Sequence, residues 1–539
     1  MTIPHEIVNC IFSYLSFEER IRLTSVCRQW QHLLLDSPEM WNSISHEQMI
    51  SIAETLTPYR RYIRPSYVRS LTLLKPWVEP DEDDDEDFIR EIKNASLEED
   101  VMFLEHCTHI QQIYIDSSYW SRSWMSKLYT MAHASLVNLT IQCSDHDIAS
   151  GVLHLGSILK QFPLLEHLSL TCPILFQHLQ QPRIALWDTN YEGTHDRLVD
   201  LHIDLYGNKN NWYLPLEHAV MHFPQLRRLS IHPRDYDEPS RIIQALMEYC
   251  IYIDTISVFV ESAEDPLHYD VSRHPSIIKS PYQQHHHHRH QDLRHLFLQD
   301  TAAHHRIVSP IIYKHNSTLE TLALRTSHTS IHSLLNSVSD ITMPHLRIVR
   351  LLNQQRSYEQ PISYLDDIID NVVLYTFFAR HPDLERVAVL DNPCFTGDVL
   401  RALYHHHLCS LELQRCDITR KALSQFFSTC GPRSSLSKLV LIDIPGVTDE
   451  VLDLVKQLPI LRHVTLLKNK ISFSAVVSFL EDGYGASNAN KGKRYDFLGL
   501  ECTKSLGDET ASTSIYTTED ILAMLDMAAT IWHFQYQEQ

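Results

Sequence analysis

At 539 residues the chain is too long for one ordinary hydrophobic core, so several domains or a repeat array is expected. An apolar fraction of 44% and a charged fraction of 21% are those of a folded soluble chain. The longest strongly apolar window, around Val372 to Ala379, falls far short of the roughly 18–20 residues of a membrane-spanning helix, and a net charge of −21 argues against a general binder of nucleic acid or of an anionic membrane.

An amphipathic pattern begins at once, interrupted by His5 and Glu6, so the N-terminus does not read as a secretion signal and the expected location is cytoplasm or nucleus. Ile3 and Pro4 open a first helix, where the missing N–H of proline costs nothing. Ile7, Ile11 and Leu15 recur every four residues with Val8 and Phe12 beside them, giving a wide apolar stripe. Ser16 and Glu19 form a capping box for a second helix carrying Ile21, Leu23, Val26 and Trp30. Ser37-Pro38-Glu39 starts a third, leading to Met40 and Trp41. Helices this short cannot bury so many large side chains alone, which points to a protein partner or to the end-cap of a larger domain.

The run Ile3-Pro4-x-Glu6-Ile7-Val8-x-x-Ile11-Phe12-x-Tyr14-Leu15, then Leu23, Val26-Cys27-Arg28-x-Trp30 and Trp41, resembles the F-box. It departs at Ile3 and His5, where leucine and an acidic residue are usual. The resemblance implies a Skp-type adaptor as partner and, through it, a cullin–RING ligase core. On the motif, Pro4, Ile7, Ile11, Phe12, Leu15, Leu23, Val26, Cys27 and Trp30 form or support the adaptor interface.

Beyond residue 66 an apolar residue, two others and then apolar-x-apolar keep returning, as in Leu136/Leu139/Ile141, Leu165/Leu168/Leu170 and Leu436/Leu439/Leu441. Central positions from Ile113 to Val464 are 26, 29, 33, 28, 27, 40, 26, 27, 38, 24, 28 and 25 residues apart, mostly near the period of leucine-rich repeats. Leu71-Leu73 reads as the first member and Ile253/Ile256/Val258 as a weaker one. Ile242-Ala245-Leu246 and Val451-Leu454-Val455 read as helices between strands. Cys416-x-Ile418-Thr419 and Val447-Thr448-Asp449 resemble the cysteine-containing repeats of the F-box/leucine-rich-repeat family. The expected fold is an α/β solenoid: an F-box over 1–45, a linker helix region over 46–66, and a curved repeat array over 67–539 with a parallel sheet on its concave face. A capping helix is expected after Thr518-Glu519-Asp520.

The acidic run 79–87 and the His-rich run 283–290 sit in stretched spacings and read as solvated loop insertions. Adjacent histidines, here and at His405 to His407, lack the fixed geometry of a metal site, so no metal or cofactor is expected. The 11 cysteines include no C-x-x-C pair and read as reduced thiols; sequons at Asn94, Asn138 and Asn316 read as chance matches. His46-Glu47 lacks a second histidine in the zinc-protease register, Asn488 stands where Gly483 and Gly485 would need a third glycine, and no catalytic residue is assigned.

Strand side chains alternate, so residues flanking each apolar pair point to the concave face. From the Leu229 repeat to the Val387 repeat these include Arg228, Phe259, Phe297, Arg325, Arg350 and Arg386 and no acid, in a chain whose acids outnumber its bases. That set is expected to hold an acidic or phosphorylated segment of a protein target. The resulting expectation is a non-catalytic substrate receptor of a Skp–cullin–F-box ubiquitin ligase, with no nucleic-acid or membrane partner. The alternatives are a scaffold bound to the adaptor without cullin, or a small-molecule sensor.

Overall fold

The computed structural model describes residues 5–15, 17–37, 42–45, 65–73, 107–116, 128–142, 155–172, 184–185, 193–205, 212–213, 216–232, 239–258, 292–299, 305–326, 328–353, 364–431, 434–472, 474–476, 478–479, 497–500, 502–503 and 515–516. The acidic run, the His-rich run, Pro4, Phe259, the expected C-terminal helix and nearly all of the linker region fall outside them. The chain divides into two compact units, Met1–Gln291 and Asp292–Gln539.

The first unit opens with three short helices, α1 (His5–Ser13), α2 (Phe17–Leu23) and α3 (Arg28–Asp36). Its strands are β1 (Ser43–Ser45), β2 (Ser70–Leu73), β3 (Gln112–Asp116), β4 (Asn138–Gln142), β5 (His167–Cys172), β6 (Ile184–Ala185), β7 (Asp200–Leu205), β8 (Trp212–Tyr213), β9 (Arg228–His232) and β10 (Thr255–Val258). Eight of these form one parallel sheet in the order β1-β2-β3-β4-β5-β7-β9-β10, while β6 and β8 pair separately. The register places Leu71, Ile113, Leu139, Leu168, Leu201, Leu229 and Ile256 side by side. All seven are buried. The array thus begins at β1, inside the segment assigned to the F-box: Ser43 pairs with Ser70, and the amides of Arg69 and Ser70 donate to the carbonyl of Asn42.

The second unit carries β11 (His295–Gln299), β12 (Thr321–Thr326), β13 (Ile348–Asn353), β14 (Arg386–Leu390), β15 (Ser410–Gln414), β16 (Lys438–Ile442), β17 (His463–Leu467) and β18 (Phe497–Leu500), all parallel. A short antiparallel pair follows, β19 (Cys502–Thr503) with β20 (Ile515–Tyr516). Parallel neighbours require crossovers, and helices Tyr364–Arg380, Gly397–Ala402, Arg420–Cys430 and Asp449–Val455 supply them. The apolar row Leu296-Leu322-Val349-Val387-Leu411-Leu439-Val464 is buried throughout. Every apolar-x-apolar segment found in the sequence from Leu71 onward occupies a strand, and the α/β repeat class is what the structure shows.

Each strand from β14 to β17 ends in a left-handed residue, Asp391, Arg415, Asp443 or Lys468. The turn aims the next side chain into the repeat core. Asn469 there accepts from the Ile444 amide at 2.9 Å and donates to the Leu441 carbonyl at 2.8 Å. Asn392 accepts from the Cys394 amide at 3.0 Å, and the Cys416 thiol donates to the Val389 carbonyl at 3.5 Å. Buried backbone groups at the strand ends are thereby satisfied from the neighbouring turn. Burial pushes the Cys107, Cys250 and Cys416 thiols up to about 12, as befits inert core thiols.

Two histidines brace the second unit. His381 Nδ1 donates to the Phe377 carbonyl at 2.7 Å, and His406 Nε2 donates to the carbonyls of His381 at 3.0 Å and Phe378 at 3.2 Å. Burial holds both imidazoles below the ordinary histidine value. The folded unit keeps them neutral, so their contribution is complete above about pH 6.5 and is lost as pH falls below that value, where the unfolded chain takes up the protons. The urea midpoint is therefore expected to drop between about pH 7 and about pH 5.5, and His406→Gln, which keeps a donor but cannot titrate, to flatten that drop. An unchanged pH slope in the variant would contradict the assignment. At Gly446, an added Cβ would meet the Ile418 carbonyl oxygen at 2.3 Å. Gly446→Ala is expected to lower stability by about 1–3 kcal/mol, read from the shift in urea midpoint.

Candidate functional site

The three N-terminal helices are held by a small inward cluster. On α1, Val8 and Phe12 point in, Phe12 being only 2% exposed. Its ring meets the Trp30 ring edge-on with centroids 5.4 Å apart. Cys27 caps α3 by accepting from the Trp30 amide through sulfur at 3.4 Å, and Leu34 of α3 is fully buried. Arg20 of α2 reaches back to the end of α1, its Nε donating to the carbonyls of Leu15 at 2.9 Å and Phe12 at 3.2 Å. It satisfies acceptors that a helix C-terminus leaves open and fixes the angle between α1 and α2. Ser37 approaches Asn9 at 3.5 Å and ties the end of α3 to α1.

The opposite face of α1 has no such cover. Ile7 and Ile11, one turn apart, are 52% and 51% exposed, and Val26 is 59% exposed in the turn after α2. Tyr14 stands 86% exposed at the end of α1. The residues assigned to an adaptor interface thus divide into three groups. Ile7, Ile11, Val26 and Cys27 face outward, Leu15, Leu23 and Trp30 are half-buried, and Phe12 belongs to the inner cluster. Pro4 lies outside the described residues. The motif did not single out Arg20, whose role becomes visible only once the two helices are placed. The arrangement offers an apolar docking surface, and burying the remaining area of Ile7 and Ile11 is worth about 1 kcal/mol each.

The expected target-binding residues are also separated. Arg228 lies in the first unit and pairs with Asp200 of the adjacent strand at 2.9 Å, where His167 also approaches that carboxylate at 3.5 Å. Phe297 is 3% exposed and lies beside Ala323 in the strand register, on the face opposite Leu296 and Leu298. Arg325, Arg350 and Arg386 occupy the neighbouring strands β12, β13 and β14 and are half-buried. Phe259 lies outside the described residues. Elsewhere on this sheet face Glu412 pairs with Lys438 at 2.5 Å, and the guanidinium of Arg415 holds Asp391 through two contacts. Among the described residues no cluster of three or more His, Cys, Asp or Glu side chains is arranged to hold a metal, and no helix is long and apolar enough to cross a membrane.

Comparison with known proteins bears on the N-terminal helices. Residues 1–47 match the F-box-like family model. The sheep (Ovis aries) F-box/LRR-repeat protein 21 is 29% identical over 70 residues, covering 13% of this chain and 15% of that protein. The chain therefore opens with an F-box-like domain, and parallel strand–helix repeats follow it.

Proposed function

We propose that this chain is the substrate-recognition subunit of a Skp–cullin–F-box ubiquitin ligase. Through Ile7, Ile11 and Val26 the F-box-like domain docks a Skp-type adaptor and, through it, a cullin–RING core. The sheet face of the second unit holds the protein target. The observation that carries this reading is the exposed apolar face of α1 on a domain of F-box-like sequence. The chain itself performs no chemistry in this role: it keeps a lysine-bearing target beside the charged conjugating enzyme, and the rate gain is one of proximity.

The inward and outward residues make separable predictions. The double variant Ile7→Asp, Ile11→Asp changes exposed positions, so it is expected to remain folded and to weaken adaptor docking by roughly 2–3 kcal/mol, on the order of a hundredfold. Phe12→Ala is instead expected to destabilise the three-helix domain itself by about 3–5 kcal/mol. Co-purification from cells with mass spectrometry of the bound chains, beside thermal melting of each variant, reads both effects. Adaptor and cullin bound to the intact chain and lost from the folded double variant support the ligase role. Adaptor without cullin would turn the assignment to a scaffold, and no adaptor at all would refute it.

A further inference from the structure

The strand register arranges three arginines of the second unit along one line. Arg325 on β12 pairs laterally with Leu352, Arg350 on β13 lies between Ala323 and Ala388, and Arg386 on β14 pairs with Ile348. Each step to the next strand therefore moves the arginine back by two residues. With strands about 4.8 Å apart and about 3.3 Å of rise per residue, successive arginine Cα atoms are separated by about 8 Å on a diagonal across the sheet. An extended peptide repeats the side chains of one edge about every 6.6 Å, a difference that long arginine side chains take up.

The surroundings favour an anion on this line. The immediate neighbours of Arg350 in its row, Ala323 and Ala388, are short side chains, 2% and 4% exposed; the row continues to Phe297 on one side and on the other to Glu412, which pairs with Lys438. The outward positions of β12 to β14 contain these three arginines and no acid. Acids near the ends of the strands face other bases, Glu320 with Arg294 at 3.6 Å and Glu385 with Arg347 at 3.3 Å. Each diagonal arginine also makes an interaction within the chain. A guanidinium carries five donors in a rigid fork, so it can be shared with an incoming carboxylate or phosphate. Apolar neighbours at low exposure reduce the screening of that contact.

We propose that the Arg325–Arg350–Arg386 diagonal reads an extended target segment with anionic side chains at every second residue, Arg350 taking the central one. This rests on the substrate-receptor reading and specifies the target that the receptor accepts. The shared chemistry is a line of three anions at alternate positions; carboxylates and phosphates are its two sources.

The test uses the full chain co-purified with its adaptor and fluorescein-labelled nonapeptides of glycine, serine and alanine. One peptide carries three glutamates at alternate positions, a second carries three phosphoserines there, and controls carry the same groups contiguously. Fluorescence anisotropy is expected to give at least about tenfold tighter binding for an alternating peptide than for its contiguous control. The tighter of the two alternating peptides identifies carboxylate or phosphate as the source. Arg350→Glu, with an unchanged melting temperature, is expected to remove that preference, and a peptide with alternating lysines to bind the variant better than the parent. Equal affinity for both spacings, indifference to Arg350→Glu, or no binding of either alternating peptide at roughly 1 mM would overturn the proposal. Adaptor co-purification is unaffected by any of these outcomes, so failure of the diagonal is distinguishable from failure of the receptor reading.

Discussion

Neither a strand nor its helix in this chain can bury its apolar face alone, and the dependence of each repeat on its neighbours governs the structure. The row from Leu71 to Ile256 in the first unit and the row from Leu296 to Val464 in the second are what stacking produces when equivalent residues fall into register. The same stacking satisfies the polar backbone at the strand ends. Asn469 serves the amide and carbonyl of the adjoining turn, and the left-handed residues at 391, 415, 443 and 468 make the bend that brings such side chains inward. Register fixed to the residue has a functional consequence, because it also fixes which outward side chains lie next to one another.

Two surfaces of different character result. The α1 face is apolar and outward because Phe12, Val8 and Trp30 already fill the small interior of the three-helix domain, leaving Ile7 and Ile11 with no partner inside it. The sheet face of the second unit is ordered by strand pairing and carries three arginines on adjacent strands. Strand β1 links the domain to the repeats of its own unit, since it follows α3 closely and pairs with β2. On the proposed reading, docking on one surface and target capture on the other demand different chemistry, isoleucine in one place and arginine in the other.

Much of this was legible in the sequence, and the exceptions have physical reasons. The spacing of apolar triplets located strands from Leu71 to Leu466 because the interior side of each strand tolerates little else. Strands β1 and β18 escaped notice because Ser-Ile-Ser and Phe-Leu-Gly-Leu are too short to show a pattern. The F-box motif located the N-terminal helical segment, but the single helix expected to carry Ile21 through Trp30 is two, Phe17–Leu23 and Arg28–Asp36, and Ser37 closes the second instead of opening a third. Both the Ile7/Ile11 and the Val8/Phe12 faces of α1 are apolar, so their division into outside and inside required the packing of α2 and α3. Alternation puts Phe297 on the same side as Ala323, and the register keeps it there, but its burial to 3% exposure depends on neighbouring strands and not on its own segment. The pairing of Arg228 with Asp200 joins residues 28 positions apart in sequence and follows from strand register, which no local pattern reveals.

On the proposed reading, the exposed face of α1 and the turn after α2 join this chain to a Skp-type adaptor. Hydrogen–deuterium exchange of the full chain, with and without purified adaptor, tests it most directly. Protection is expected over residues 5–36, strongest around Ile7, Ile11 and Val26, with the strands of the second unit unchanged. Protection confined to the repeats, or none in α1 under saturating adaptor, would contradict it.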